Sequence, residues 1–593
     1  MSKLLLTSVC RPFGGPGEGD SVGAELFHAQ VTRAQGPLGL RQVIRVWALD
    51  YIAENLVTPT VTLHYPSKAE LVRELRTGQY THVGIHFVVA TFHKVREMVP
   101  LVRKHAPHAK IVLGGYGTVL PDEVLAPFGD AICREEGVGF MRKLLGEPMD
   151  TPLRHPHAPI PSVSVLGVQQ SSVVGHVTAG LGCPNGCDFC CTSHFFDRKY
   201  LRFADRGRDV YEALMATRAR SRADGVPMNS FILIDEDFFL HHKRAREFLS
   251  CVREGGESFG LMGFDLVWNA FEGKKAGYRK QRGKPLSELY RDLRSVGVAQ
   301  LTSMIIGFPY QDEATIHEEL DELMALEPAL TQCLIYFAFP GTPLHDQVIA
   351  QGRYREAYRD APDLRRWDGF AMHFDHPKME PSRVEALQRE IYQQDFARLG
   401  PSTMRLARVW LEGHRSLRHD ASPLLAARSE RLRESVRALL PTLLTTALFA
   451  PSAEVRARAL ALRREIHRLT GAPTAVERAM ETAAPALFAA TTLGRRLGAL
   501  QQPGLLRTEH RLPGEAASRH TRRSLRVQGG LQSGVVSALV EDAREAAGRA
   551  IARWLGKTPP PPPPATRVVT ERATRMPRSL PIVMESVMDA AAE

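Results

Sequence analysis

Short apolar runs alternate with helix-patterned stretches between residues 3 and 147. In the helix-patterned stretches apolar residues recur three and four positions apart, and the runs between them have the length of strands. This order favours a parallel sheet covered by helices, so we expect residues 1–150 to form a doubly wound, Rossmann-like α/β domain. The predicted strands are residues 4–8, 60–64, 82–89, 110–113 and 131–133, and the predicted helices are residues 68–77, 92–105 and 139–145.

Two glycines, Gly114 and Gly115, directly follow one of these predicted strands. In a doubly wound domain the ligand crevice lies at the carboxyl ends of the strands. Because glycine lacks a β-carbon, a large ligand can approach the backbone closely at these positions. We therefore expect both glycines to line a binding crevice.

A second alternating pattern follows a proline-rich connector at residues 152–161. Strands followed by helices predict a full or partial parallel (β/α) barrel over residues 165–380, in which chemistry is carried by the loops after the strands. The predicted strands are residues 176–179, 231–234, 263–268, 300–306 and 331–337.

Beyond about residue 381 the pattern becomes helical, which predicts a helical domain up to residue 500. The predicted helices are residues 382–398, 402–412, 425–439 and 453–469. Residues 501–593 lose this regularity from about residue 503, apart from a helical stretch at 535–555, and contain a proline run at 559–564. We expect this segment to be a basic, partly disordered tail.

Composition narrows the class of protein. Eight cysteines are too few for a disulfide scaffold, no secretory leader is recognisable, and no apolar run is long enough to span a bilayer, so we expect a cytoplasmic protein. The net charge of +11 belongs to residues 401–593, which hold 30 Lys and Arg against 17 Asp and Glu. Solvated helix faces explain such a surplus, and attraction to anionic lipid or to an acidic partner is the alternative. No nucleic-acid module is recognisable, so no nucleic acid is expected.

Three cysteines stand close together in the loop after the first strand of the second pattern. Cys183, Cys187 and Cys190 fall within eight residues, and Pro184 and Gly186 between them allow tight turns. Three thiolates so spaced can wrap one metal centre. A structural zinc ion would need a fourth ligand, for which His194 is the nearest candidate. The neighbouring Cys191 should point elsewhere.

At these residues the chain resembles the radical S-adenosylmethionine (SAM) superfamily, whose motif places an aromatic residue before the last cysteine, as Phe189 does here. The resemblance implies that the three cysteines bind a [4Fe-4S] cluster and that SAM chelates the open iron. One electron, supplied by a reductant such as flavodoxin or ferredoxin, then cleaves SAM to a 5′-deoxyadenosyl radical. The cofactor carries the difficult chemistry, and the protein positions the reactants.

Later loops are similar to further motifs of the same superfamily. Asp235 and Glu236 follow a predicted strand and resemble the acidic turn that holds the SAM amino group. Gly307 and Pro309 lie in a turn like the one that packs beside adenosine. Residues 339–344, with the sequence FPGTPL, resemble a segment found in members that carry a B12-binding domain.

The first domain resembles that B12-binding (cobalamin-binding) domain, most clearly over residues 110–115. Bound cobalamin is therefore expected. The chain lacks the D-x-H-x-x-G motif that supplies the lower cobalt ligand in many such proteins, and His86 is either a substitute or a buried crevice histidine. Two polar segments, residues 272–282 and 373–378, either line the active site or form ordinary loops.

Together these features predict a cobalamin-dependent radical SAM enzyme. Its expected reaction is methylation, or radical C–C bond formation, at an unactivated carbon of a lipid or other small natural product. The basic helices make peripheral association with the inner face of the membrane part of this prediction. The alternative is a non-catalytic iron–sulfur sensor whose basic tail binds a partner. Such a sensor would leave the later motifs without a purpose.

Overall fold

The computed structural model describes most of the chain up to residue 510. The described residues are 2–11, 31, 33–39, 41–43, 45–156, 160–165, 168–223, 230–236, 238, 241–256, 260–262, 266–271, 285–359, 363–496 and 506–510. They form a mixed α/β structure with largely parallel sheets, followed by a helical region, so the expected fold class is confirmed at this level. Within these residues no helix is long and apolar enough to cross a membrane.

The first sheet has six strands in the order β16-β3-β1-β4-β5-β6. Its strands are β1 (Leu4–Ser8), β3 (Thr60–His64), β4 (His82–His86), β5 (Lys110–Gly114), β6 (Ala131–Ile132) and β16 (Leu506–His510). All pairs are parallel except β16 with β3. The helices beside this sheet are α1 (Trp47–Glu54), α2 (Lys68–Gly78), α3 (Phe92–His105), α4 (Asp122–Leu125) and α5 (Gly137–Leu145).

Both faces of this sheet are buried, which explains why its strands read as continuous apolar runs. Leu5 and Val83 face a core shared with α2 and α3. Leu4 and Val112 face a smaller core shared with α1 and α5.

The first sheet and the helices beside it form the first unit of the structure. The second unit contains two larger sheets and a short pair of β-strands. One larger sheet has the order β12-β11-β8-β7-β2 and the other has the order β13-β14-β15. The strands are β2 (Arg41–Val43), β7 (Ile160–Val165), β8 (Val168–Thr178), β9 (Gly180–Leu181), β10 (Leu201–Arg202), β11 (Ser230–Ile234), β12 (Gly260–Met262), β13 (Leu266–Ala270), β14 (Ala299–Ile306) and β15 (Leu330–Ile335). The helices are α6 (Cys191–Phe195), α7 (Gly207–Ala223), α8 (His242–Gly255), α9 (Leu286–Ser295), α10 (Glu313–Ala325) and α11 (Pro343–Ala350).

Strands β8, β11 and β12 are parallel neighbours, as are β13, β14 and β15. Two sequence expectations need correction here. The strand expected at 263–268 lies at Leu266–Ala270 and is preceded by the short β12. The connector expected to reach residue 161 ends earlier, because β7 begins at Ile160. Pro161 fits there because the pairing register shifts between Ile160 and Ser162, and β-bulges tolerate proline.

Three helices of the helical region form an apolar core that includes Val409, Leu440 and Val455, whereas its first helix packs with Val384 and Leu387 into the core of the first sheet. The helical region consists of α12 (Pro381–Leu399), α13 (Ser402–Leu417), α14 (Pro423–Leu448), α15 (Ala453–Thr470) and α16 (Ala475–Arg496). The first four match predicted helices, whereas α16 was not predicted. The helix expected at 535–555 and the proline run lie outside the described residues.

Two strands pair with strands that are far away in the sequence. β2 comes from the first 150 residues but pairs with β7 of the second unit, and β16 comes from the C-terminal segment but pairs with β3 of the first sheet. The sequence predicted neither exchange, and the expectation that regular structure ends near residue 503 is wrong for Leu506–His510. The units are therefore tied together by main-chain pairing as well as by side-chain contacts.

Buried charges fix β16 in place. His510 contacts the carboxylates of Asp50 (3.2 Å) and Glu54 (3.4 Å), and Asp50 also pairs with Arg45 (2.8 Å) and His64 (3.1 Å). Desolvation opposes ionisation of Asp50, but Arg45 and the two histidines more than offset it and hold the pKa of Asp50 well below its ordinary range. For His510, desolvation lowers the pKa, yet Asp50 and Glu54 raise it above the ordinary value. The network therefore favours the protonated, positively charged form of His510, which contacts two buried carboxylates.

Candidate functional site

The cysteine loop begins directly after β9 and ends at α6. Two of its glycines have left-handed backbones, Gly182 with φ 81° and Gly186 with φ 68°. A β-carbon at Gly182 would lie 2.3 Å from the carbonyl oxygen of Lys199, so close packing also requires glycine there. Cys183 and Cys187 are buried, and Cys190 is half-buried. The sequence therefore builds a tight loop that holds all three thiols in one short segment.

Hydrogen bonds fix the backbone of this loop. The Ser193 hydroxyl donates to the carbonyl of Cys183 (2.6 Å) and accepts from the N–H of Gly186 (2.8 Å). The Asn185 amide donates to the Cys183 sulfur at 3.0 Å. A ring nitrogen of His194 lies 3.0 Å from the carbonyl oxygen of Cys187, which places this proposed zinc ligand against the backbone.

The donor set fits an iron–sulfur cluster by its chemistry, since it offers three cysteines on a tightly turned loop. In the part of the chain that the structure describes, no three His, Cys, Asp or Glu side chains are grouped closely enough to hold a metal ion. The three thiols therefore share a loop but do not converge on one point. Desolvation raises the pKa of the adjacent Cys191 to about 12, so that thiol stays protonated.

Loops after β14 and β15 contact the cysteine loop. The backbone N–H of Leu344 donates to the carbonyl of Asp188 (3.1 Å), and the Tyr336 hydroxyl donates to the Asp188 carboxylate (2.9 Å). Phe189 packs edge-on against Phe308 and Tyr336, with ring centroids 6.1 and 5.5 Å apart. The aromatic residue of the motif is thus part of a cluster that joins three loops.

The turn after β14 contains the two predicted residues Gly307 and Pro309. Gly307 is buried with φ 87°, and Pro309 is exposed. His376 bonds to the carbonyl of Phe308 (2.9 Å), and Lys378 donates to the carbonyl of Tyr310 (2.7 Å). Residues 373–378 were expected either to line the active site or to form an ordinary loop. These contacts favour the second interpretation, because the side chains of His376 and Lys378 hydrogen-bond to the turn and stabilise it.

The carboxylates of Asp235 and Glu236, in the acidic turn after β11, have different hydrogen-bonding and ion-pair partners. Asp235 is buried and pairs with Arg244 at 2.7 Å, and it also accepts a hydrogen bond from Tyr200. Glu236 accepts from the backbone N–H of Gly182 through one oxygen and from the Tyr116 hydroxyl (2.8 Å) through the other. Glu236 remains solvent-accessible as a residue, yet desolvation by the surrounding protein raises the pKa of its carboxyl.

Of the two predicted carboxylates, therefore, Glu236 contacts the cysteine loop, whereas Asp235 is paired with the buried guanidinium group of Arg244. Asp237, the third acidic residue of the turn, and the basic segment 272–282 lie outside the described residues.

The carboxyl edge of the first sheet faces the same region. Tyr116, two residues after β5, lies edge-on to Phe195 with ring centroids 5.0 Å apart. Farther along the same segment, Val119 lies 3.4 Å from where a β-carbon of Gly341 would be. The loops at the carboxyl ends of both units therefore meet.

The two glycines after β5 have different surroundings. A β-carbon at Gly115, where φ is 95°, would meet the carbonyl oxygen of Phe87 at 2.6 Å and the ring of His86 at 2.8 Å. Close packing within the protein therefore accounts for Gly115. At Gly114 a β-carbon would meet only the β-carbon of Cys133, at 3.9 Å. Desolvation lowers the pKa of His86 to about 4, so its ring is neutral.

The structure thus brings together the four motifs of the second unit, and it adds Tyr116 and Tyr336, which sequence reasoning missed. Tyr116 follows the predicted glycine pair, and Tyr336 is the last residue but one of the strand predicted at 331–337, so position alone gave a weak signal for both. Compared with known proteins, the chain matches no family model and no curated protein. Its function is inferred from the residues of the site themselves.

Proposed function

We propose that this chain is a radical SAM enzyme. The observation that carries the proposal is that three loops, each following a parallel strand, contact the cysteine loop through Glu236, Phe308, Tyr336 and Leu344. These loops were identified separately by their resemblance to one superfamily. Parallel strands bring the loops at their carboxyl ends to one edge, so the proposal is favoured by the finding that all three loops carry residues that resemble one superfamily.

The parallel strands β8, β11, β12, β13, β14 and β15 are the proposed partial (β/α) barrel, and the first sheet is the proposed Rossmann-like, cobalamin-binding fold. In this proposal Cys183, Cys187 and Cys190 hold the [4Fe-4S] cluster. When bound, the cluster supplies an electron that cleaves SAM to a 5′-deoxyadenosyl radical. The remaining steps belong to the protein.

The side chains around the cysteine loop have distinct roles. Phe189, Phe308 and Tyr336 form an aromatic wall that excludes water from one side of the loop. Glu236 presents a carboxylate next to the loop, where it can orient the ammonium group of SAM. Asp235 acts indirectly, because its charge is already balanced by Arg244.

Reductive cleavage of SAM tests this proposal against the sensor alternative. After anaerobic reconstitution with iron and sulfide, addition of dithionite and SAM should release 5′-deoxyadenosine and methionine, measured by liquid chromatography and mass spectrometry. The Cys187→Ala protein under the same conditions should release only background amounts. A wild-type protein that holds a cluster but releases no 5′-deoxyadenosine would favour the sensor.

Cobalamin-dependent methylation of a lipid or natural product belongs to the same proposal, with a flavodoxin or ferredoxin as the reductant and peripheral attachment to the inner membrane face. It is supported by the meeting of the two carboxyl edges at Tyr116 and Phe195, because a corrin between the units would lie next to the cysteine loop. His86 is neutral and borders the same edge.

Gly114→Trp should prevent cobalamin uptake while leaving SAM cleavage intact. Gly114 is the better position to block, since a side chain at Gly115 would strain the backbone whether or not a ligand binds. The measurement is corrin absorbance that co-elutes with the protein after incubation with hydroxocobalamin. Iron content and thermal unfolding serve as controls. Equal corrin binding by the wild type and Gly114→Trp would place the corrin elsewhere, and no binding by the wild type would exclude cobalamin chemistry.

A further inference from the structure

Tyr116 comes from the first unit, but its hydroxyl bonds to a carboxylate of the second. It donates to Oε1 of Glu236 at 2.8 Å, while Oε2 of the same carboxylate accepts from the N–H of Gly182. Gly182 directly precedes Cys183, the first cysteine of the motif. A single carboxylate thus connects the loop after β5 with the start of the cysteine loop.

Neighbouring side chains fix the position of Tyr116. Its ring is edge-on to Phe195 and Phe196, which directly follow the motif, at centroid distances of 5.0 and 6.5 Å. The Thr192 side chain lies near both Glu236 and Tyr116 and acts to lower the pKa of each. The hydroxyl therefore belongs to a connected group and is not an isolated surface contact.

We propose that Tyr116 is a positioning residue through which the first unit holds Glu236 against the cysteine loop. The inference rests on the proposed function in one respect, that the oriented carboxylate serves SAM. Without the Tyr116 hydroxyl, Glu236 keeps Gly182 as a partner but loses the contact that fixes its second oxygen. Gly182 has a left-handed backbone in a tight turn, so a less constrained acceptor lets the start of the loop open more often.

Hydrogen exchange tests the positioning role without any cofactor. In full-length Tyr116→Phe, amide exchange in the peptide that spans residues 181–187 should be roughly ten-fold faster than in the wild type, because a hydrogen bond to a charged group is lost. Tyr80→Phe is the matched control. Tyr80 also donates to a glutamate of the first unit, Glu74, but it lies apart from the cysteine loop. Unchanged exchange in Tyr116→Phe, or equal acceleration in Tyr80→Phe, would overturn the proposal.

Binding of SAM tests the link to the proposed function. In anaerobically reconstituted protein, Tyr116→Phe should keep the iron content of the wild type, and its Kd for SAM, measured by equilibrium dialysis, should rise roughly ten-fold. Tyr80→Phe should bind SAM as the wild type does. An unchanged Kd in Tyr116→Phe, with faster exchange at 181–187, would refute the part that concerns SAM. Wild-type protein that binds neither iron nor SAM would refute the proposed function instead, while the exchange result would still decide the positioning role.

Discussion

Alanine in place of Cys183, Cys187 or Cys190 should abolish iron binding and with it the release of 5′-deoxyadenosine. Each thiolate is expected to hold one iron, and a cluster left with two protein ligands exposes further iron to water and is lost. The iron and sulfide content of the anaerobically reconstituted proteins, together with their absorbance near 400 nm, would measure the effect. We expect near-complete loss in each of the three variants.

Cys191→Ala is the matched control, since it removes a thiol from the next residue of the chain. Cys191 is the first residue of α6 and lies outside the three-cysteine spacing, so it is not expected to hold iron. The variant should therefore retain wild-type iron content. Equal loss of iron from Cys191→Ala would mean that the ligand set is wrong, and retention of iron by Cys187→Ala would rule out the three-cysteine cluster.

A chain that ends at residue 505 should be less stable than one that ends at residue 510 by about 3 kcal/mol or more. The shorter chain lacks β16, so Asp50 and Glu54 lose the buried partner His510, and removal of one partner from a buried charge pair costs about 3–5 kcal/mol. The expected result is a lower urea midpoint for the first unfolding transition and faster amide exchange in β3.

Two single substitutions in the full-length chain separate the causes. His510→Ala should reproduce most of the loss, whereas Arg507→Ala should cost about 1 kcal/mol or less, because its pair with Glu74 is partly exposed. If the chain ending at 505 unfolds as the longer chain does, β16 contributes nothing to the first sheet. If Arg507→Ala is as damaging as His510→Ala, then the ion pair of Arg507 with Glu74 contributes as much as the buried charges around His510.

The elements that were predicted best from the sequence are those with local periodicity. The strands at 4–8 and 60–64 and the helix at 92–105 have their predicted bounds, because each is a buried apolar run or an amphipathic repeat that needs no distant partner to be recognised. β2 and β16 were missed because both are short and are strands only by virtue of partners more than a hundred residues away.

In the candidate site, too, local motifs were predicted from the sequence and contacts with distant residues were not. The cysteines, the acidic turn and the two later turns were recognised from short motifs, and the structure gathers them. Which acidic residue contacts the loop was not predictable, because Tyr200 and Arg244, the partners of Asp235, lie elsewhere in the chain. The packing that requires glycine at position 115 was not predictable either, since the atoms that exclude a side chain there belong to His86 and Phe87.

The pairing of β16 with β3 has a consequence for how the chain is made. About 440 residues separate the two strands, so at roughly 5–20 residues per second a ribosome needs roughly 20–90 s to deliver the partner after β3 has emerged. During that interval β3 is an open strand edge, with unpaired N–H and C=O groups that could pair with other chains. The nascent protein should therefore depend on chaperone protection until residue 510 has left the exit tunnel.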